Sequence, residues 1–155
     1  MKENLLELIN DLKEEMKICE YLTDDELERV SPCFGVEHYP AGTVLFSEGD
    51  PGDYMGFVIS GKIEITKQTE FKGKEIIIAI VGKGSFIGEI STFDALPRST
   101  SAKTIEDTDL LIFKRSTFDR ILKEHPQTGI KMLEGIIRIL ALRLRKTTER
   151  LTRIF

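Results

Sequence analysis

The sequence predicts a mainly β domain with flanking helices. Between Val36 and Phe113, β-branched and aromatic runs are cut at short intervals by glycine-bearing turns. Before and after that region, apolar residues recur at helical spacing. No internal repeat or low-complexity linker divides the 155 residues, so one domain is expected, with N-terminal helices over 1–33, a β body over 34–115 and C-terminal helices over 116–155.

Leu5, Leu8, Ile9, Leu12 and Met16 predict an amphipathic helix over 3–17. Thr23-Asp24-Asp25-Glu26 has the form of a capping box, Leu27 and Val30 make the apolar face behind it, and Pro32 stops the run. Strands are predicted over 36–39, 43–47, 54–60, 62–68, 75–81, 101–106 and 109–114, with turns at Pro40–Gly42, Gly49–Gly52, Gly61, Phe71–Gly73 and Gly82–Gly84. Such spacing suits a sandwich or a jelly roll. Ile63 and Ile65 alternate with polar neighbours, giving that strand one buried and one wet face, whereas 75–81 is apolar on both faces and is expected to lie centrally. After Phe113 a short helix over 116–124 is followed by a break at His125-Pro126 and a long helix from about Thr128.

Composition narrows the function. Hydrophobic residues at 41% and charged residues at 31% are those of a soluble globular chain. With 22 Lys and Arg against 26 Asp and Glu, the net charge of -4 argues against coating nucleic acid, and no direct DNA partner is expected. Cys19 and Cys33 are too few for a disulfide framework or a four-thiolate metal site and read as reduced packing residues. Residues 1–15 alternate acids with apolar side chains rather than forming a signal peptide, and the most apolar later stretch is cut by Arg138 and Arg143. No membrane span and a cytoplasmic location are expected. A jelly-roll metal enzyme would need clustered His and carboxylate ligands; His38 and His125 lie in separate elements without a His-x-His pair, and no nucleophile-base arrangement is evident. No catalytic residue, metal or cofactor is expected.

The stretch 84–102 departs from strand and turn logic. Gly88 opens a short helix that Pro97 ends; such an N-terminus offers unpaired N–H groups, and glycine leaves room for a phosphate. Arg98 adds a planar cationic fork, and Ser99 and Thr100 add hydroxyls. Glu89 makes sense beside a phosphate only if the ligand also presents donors, as a ribose 2′-hydroxyl does. The plain alternative is a solvated loop.

Phe86-Ile87-Gly88-Glu89-Ile90 followed by Pro97-Arg98-Ser99-Thr100 resembles the phosphate-binding cassette of cyclic nucleotide-binding domains. The resemblance extends upstream through the run from Pro40 to Asp53 and through Phe57 to Ile65, covering about Leu22 to Phe118. It implies a β jelly roll, a double-stranded β-helix, holding cyclic AMP or a related cyclic nucleotide. In that reading Arg98 pairs with the cyclic phosphate, Ser99 donates to it with the Gly88 and Glu89 backbone behind, and Glu89 accepts the ribose hydroxyl. Thr100 is either a second donor or a strand residue. Phe46, Ile65, Ile78, Ala79 and Ile87 either line the ligand pocket or belong to the core.

In the last helix Ile130, Leu133, Ile137, Leu140, Leu144, Thr147, Leu151 and Ile154 follow alternating steps of three and four, a heptad seam that predicts a parallel homodimer. Met132, Ile136 and Ile139 form a second stripe on another face, available to pack against the β body. The alternative is one broad face on the chain's own core. The region from Arg143 to Arg150 resembles the dimer helix of the catabolite activator family, which implies base contacts from Thr147 and, across the dimer, Thr148, with Arg143 nearby. Members of that family continue into a helix-turn-helix domain, whereas this chain ends at Phe155. The basic residues Arg138, Arg143, Arg145, Lys146, Arg150 and Arg153 make either a solvated face or a surface attracted to Glu3, Glu7, Asp11, Glu14 and Glu15. The function expected is a stand-alone cyclic nucleotide sensor signalling to an unknown downstream protein through its last helix. The alternative outside enzymology is a dimerisation or docking module with a vestigial pocket.

Overall fold

The structure is a computed structural model and describes residues 2–154, with side chains from Asn4 onward, so the Glu3 side chain lies outside the described residues. The chain divides into two compact units, one made of segment 33–119 and one of segments 1–32 and 120–155.

The helical unit contains α1 (Lys2–Met16), α2 (Asp24–Val30), the end of α4 (Arg115–Glu124) and α5 (Pro126–Thr152). Ile9, Leu12 and Met16 bury the face that their spacing predicts. Thr23 caps α2 as the sequence indicates: its hydroxyl accepts from the Glu26 backbone at 3.3 Å, and the Glu26 carboxylate accepts from the Thr23 backbone N–H at 2.9 Å. The same carboxylate accepts from Lys131 of α5 at 2.7 Å. Gly135 lets α5 approach the segment after α1, since a Cβ there would stand 2.3 Å from the Lys17 carbonyl oxygen. On either side of it Met132, Ile136 and Ile139 are buried. Lys131 and Arg138 pair with Glu26 and Glu20, residues that follow α1. Among the described residues no helix is long and apolar enough to cross a membrane.

The β unit contains β1 (Phe34–Tyr39), β2 (Val44–Phe46), β3 (Tyr54–Ser60), β4 (Lys62–Gln68), β5 (Glu75–Gly82), β6 (Phe86–Ile87), α3 (Glu89–Asp94), β7 (Ser101–Thr104) and β8 (Thr108–Lys114). Two four-stranded antiparallel sheets, ordered β1-β8-β3-β6 and β2-β7-β4-β5, form the jelly roll. Phe46, Val58, Ile63, Ile87, Ala102, Leu110 and Ile112 fill the space between them. β6 has only two residues, too few for any periodicity, and was not predicted. The expected central position of 75–81 is corrected: β5 pairs with β4 alone, at the end of its sheet, and Ile76, Ile77 and Ile80 are more than half exposed. Apolarity on both faces marks a central strand only where a neighbour covers each side, and β5 has one neighbour. The β4–β5 register shifts between Ile65 and Thr66, and Ile78 falls at that irregularity.

The Glu26 carboxyl is held below the usual carboxylate range, first by the Lys131 ammonium and then by the Thr23 N–H. A depressed folded-state pKa contributes stability above the unfolded pKa and loses it as pH falls through the folded value. Glu26→Gln is therefore expected to melt below wild type at pH 7, with the gap closing as pH falls below about 4. A gap independent of pH in thermal melts would contradict the assignment.

Candidate functional site

Each wall of the site is set by a local backbone requirement. β6 delivers the chain to Gly88, whose φ of 74° places it in the left-handed region before α3. A Cβ there would lie 2.4 Å from an Arg98 guanidinium nitrogen and 3.0 Å from the Tyr54 carbonyl oxygen. On the other side a Cβ on Gly52 would lie 2.3 Å from Ser91 Oγ and 2.8 Å from Arg98 Nε. Only hydrogen fits in both places, and the guanidinium occupies the gap between them. α3 itself starts one residue after the predicted position and ends at Asp94, followed by Ala95, which takes a left-handed φ of 59° before Pro97.

Arg98 is 2% exposed. One terminal nitrogen donates to the Gly88 carbonyl and to Ser91 Oγ, both at 2.8 Å, and the other donates to the Tyr54 carbonyl at 2.9 Å. The guanidinium carbon stands 4.3 Å from the centre of the Phe46 ring and 4.6 Å from that of Tyr54. Cation–π attraction from these rings offsets part of the cost of burial. Burial pulls the Arg98 pKa below its ordinary value, opposed by Tyr54, Asp53, Glu89 and Asp50, but an arginine stays charged throughout. Its Nε is buried with no hydrogen-bond partner among the described residues. The terminal nitrogens thus face protein oxygens rather than an open cavity, a departure from the free fork expected from sequence: a buried cation takes the dipoles within reach. α3 spans six residues, so its dipole is a minor contribution and the site's charge rests on Arg98.

The structure brings Gly88, Glu89 and Arg98 together. Glu89 is 1% exposed and acts on the guanidinium through space. Ser99 is exposed and Thr100 half-buried where the chain leaves the cassette toward β7. Phe46 and Ile87 are buried in the β core, Ile65 packs at its edge, Ala79 is half-buried, and Ile78 is 44% exposed. Thr147 and Thr148 lie in the other unit, exposed on α5, where their hydroxyls donate to the carbonyls of Arg143 and Leu144 at 3.0 and 2.9 Å. In the single chain Thr147, a position of the heptad seam, therefore keeps its hydroxyl satisfied by its own helix. Arg143 is half-buried. Of the two histidines, His38 pairs with Asp109 at 2.7 Å and His125 precedes α5. Among the described residues no three His, Cys, Asp or Glu side chains gather as metal ligands.

Sequence reasoning missed Gly52, Tyr54 and Ser91, which hold Arg98. Tyr54 meets it from 44 residues away, a pairing that no local pattern encodes. The glycine in the turn before β3 is the nearest thing to a signal, because a turn alone does not explain why Gly52 must lack a side chain.

Comparison with known proteins gives the family of this jelly roll and its buried cassette. Residues 36–125 match the model of the cyclic nucleotide-binding domain, and the chain belongs to that family. It is similar to the CRP-like cAMP-activated global transcriptional regulator of Mycobacterium tuberculosis, 34% identical over 73% of this chain and 48% of the relative. The cyclic AMP receptor protein of Thermus thermophilus is 32% identical over 81% of this chain and 56% of that protein. The chain thus spans about half the length of these curated relatives. A crystal structure of a cyclic nucleotide-binding domain from Methylobacillus flagellatus superposes with a TM-score of 0.83 at 27% identity, covering 95% of this chain and 86% of that one.

Because a methyl at position 88 meets both a left-handed φ and the guanidinium, Gly88→Ala is expected to cost about 1–3 kcal/mol of stability. Denaturant unfolding checks this, and a wild-type midpoint would contradict the packing described.

Proposed function

We propose that the chain is a cytoplasmic regulatory module that binds a 3′,5′-cyclic nucleotide, cyclic AMP, in the jelly roll and signals through α5, without catalysing a reaction and without touching DNA itself. One observation carries the reading: a buried guanidinium whose Nε has no partner among the described residues sits at the end of a glycine-walled cassette. Such a group is completed by an anionic acceptor, and hydrogen bonds to charged groups are the strong ones. Arg98 neutralises the cyclic phosphate; Ser99, Thr100 and the Gly88 backbone donate to it; Glu89 accepts the ribose hydroxyl. Phe46, Ile65, Ile78, Ala79 and Ile87 contribute the apolar lining. Thr147 and Thr148, with Arg143, supply base contacts in the same proposal. The names of the mycobacterial and Thermus relatives specify cyclic AMP, and the regulatory domain of a Toxoplasma gondii protein kinase A, crystallised with cAMP, matches with a TM-score of 0.66 at 27% identity over 77% of this chain and 44% of that one.

A second reading, a docking module with a vestigial pocket, is favoured by the bonds that Arg98 makes to Gly88, Ser91 and Tyr54. Titration calorimetry separates the two. Wild type is expected to bind cyclic AMP above 5′-AMP, and Arg98→Ala to lose about 100-fold or more, as befits lost charge-assisted bonds. Equal binding by both proteins refutes the assigned site, and wild type that binds neither cyclic AMP nor cyclic GMP overturns the sensor reading.

Signalling in this proposal runs through a parallel homodimer. Along the α5 seam Ile130, Ile137, Leu140, Leu144, Leu151 and Ile154 are 37–75% exposed, an apolar stripe that a second copy would cover. A ligand shifts such an assembly only through differential contacts in its states, which base contacts on the same helix would supply. Light scattering is expected to give a dimer for wild type and a monomer for the Ile137→Glu, Leu144→Glu double variant. A wild-type monomer with and without cyclic AMP would remove the dimer from the proposal.

A further inference from the structure

The last β4–β7 pair joins Thr66 to Ser101, so the ladder ends before the chain reaches Ser99. Beyond that point a side chain continues the connection. Lys67 Nζ donates to the Ser99 backbone carbonyl at 2.8 Å and to Glu48 Oε1 at 2.8 Å. Glu48 is held in turn: its other carboxylate oxygen accepts from the Gln68 N–H at 2.9 Å, and its own N–H donates to Ser101 Oγ at 2.8 Å. The neighbouring backbone is knitted to the same stretch, with Gly49 N–H donating to the Arg98 carbonyl and Arg98 N–H to the Asp50 carbonyl, both at 2.8 Å. Glu48 and Lys67 therefore tie together β4, the turn before β3 and the end of the cassette.

A trans peptide is planar, and its C=O and N–H point in opposite directions. Fixing the Ser99 carbonyl on Lys67 consequently fixes the direction of the Thr100 N–H. We infer that Lys67 is a positioning residue of the phosphate site: through the Ser99–Thr100 peptide it sets which exocyclic oxygen of a cyclic phosphodiester is held. The inference rests on the cyclic nucleotide reading above and gives that site a stereochemical preference. Lys67 acts through its carbonyl bond, not by contact with the ligand, and Glu48 keeps its ammonium in place.

The test uses the full chain and the two phosphorothioate diastereomers of cyclic AMP, in each of which a different exocyclic oxygen is replaced by sulfur, a weaker acceptor. Wild type is expected to prefer one diastereomer. Lys67→Met, similar in length but without the donor, is expected to change the ratio of the two dissociation constants by about fivefold, the effect of one hydrogen bond. Lys67→Arg, which can still donate to the Ser99 carbonyl, is expected to hold the ratio within about twofold of wild type, and Glu48→Gln to fall between the two. Equal weakening of both diastereomers by Lys67→Met, or no weakening of either, overturns the positioning role while leaving the cyclic nucleotide reading intact. Wild type that binds neither diastereomer nor cyclic AMP overturns both.

Discussion

Burying a guanidinium is the constraint on which the β unit's local structure depends. An arginine cannot shed its proton to escape a poorly solvating interior, so the surroundings must be built to tolerate the charge. Here two aromatic faces, two backbone carbonyls and one hydroxyl surround Arg98. Gly52 and Gly88 lack side chains where one would intrude. Three of its five N–H donors are bonded, and its Nε is buried with no hydrogen-bond partner among the described residues. An apolar residue of similar volume would leave the Gly88 and Tyr54 carbonyls and the Ser91 hydroxyl without this donor, so the guanidinium organises the cassette while its Nε has no partner among the described residues.

The cassette is also mechanically connected. Arg115, at the start of α4, donates to the Thr92 carbonyl at 3.1 Å at the end of α3, and the rings of Phe93 and Phe118 meet edge to face at 5.5 Å. A displacement of α3 would therefore be felt at the first turns of α4. Beside the cassette's other end, the Ser47–Asp50 turn holds the Arg98 backbone through paired amide bonds.

Much of this was legible in the sequence, and for definite reasons. The strands over 54–60 and 62–68 are bounded by glycine turns and fall where the pattern placed them. The capping box at Thr23 and the break at Pro126 are local chemistry and appear as read. The cassette was visible because Gly88, Glu89 and Arg98 carry requirements that few other residue types meet. What was illegible depends on distant partners. The edge position of β5 is decided by which strands pair, and the hydropathy of its isoleucines says nothing of that. The aromatic enclosure of Arg98 needs Phe46 and Tyr54 brought in from other strands, and the Glu48–Lys67 tie joins residues 19 apart whose charges look like ordinary surface.

The most direct test of this account observes the guanidinium itself. In a ¹H–¹⁵N spectrum of selectively labelled arginine, with Arg98 assigned by substitution, cyclic AMP is expected to shift the Arg98 Nε–H resonance strongly and to slow its exchange with water, because that donor gains an acceptor. An Arg98 Nε–H signal unchanged at saturating cyclic AMP, while other resonances report binding, would place the phosphate elsewhere and contradict the central claim.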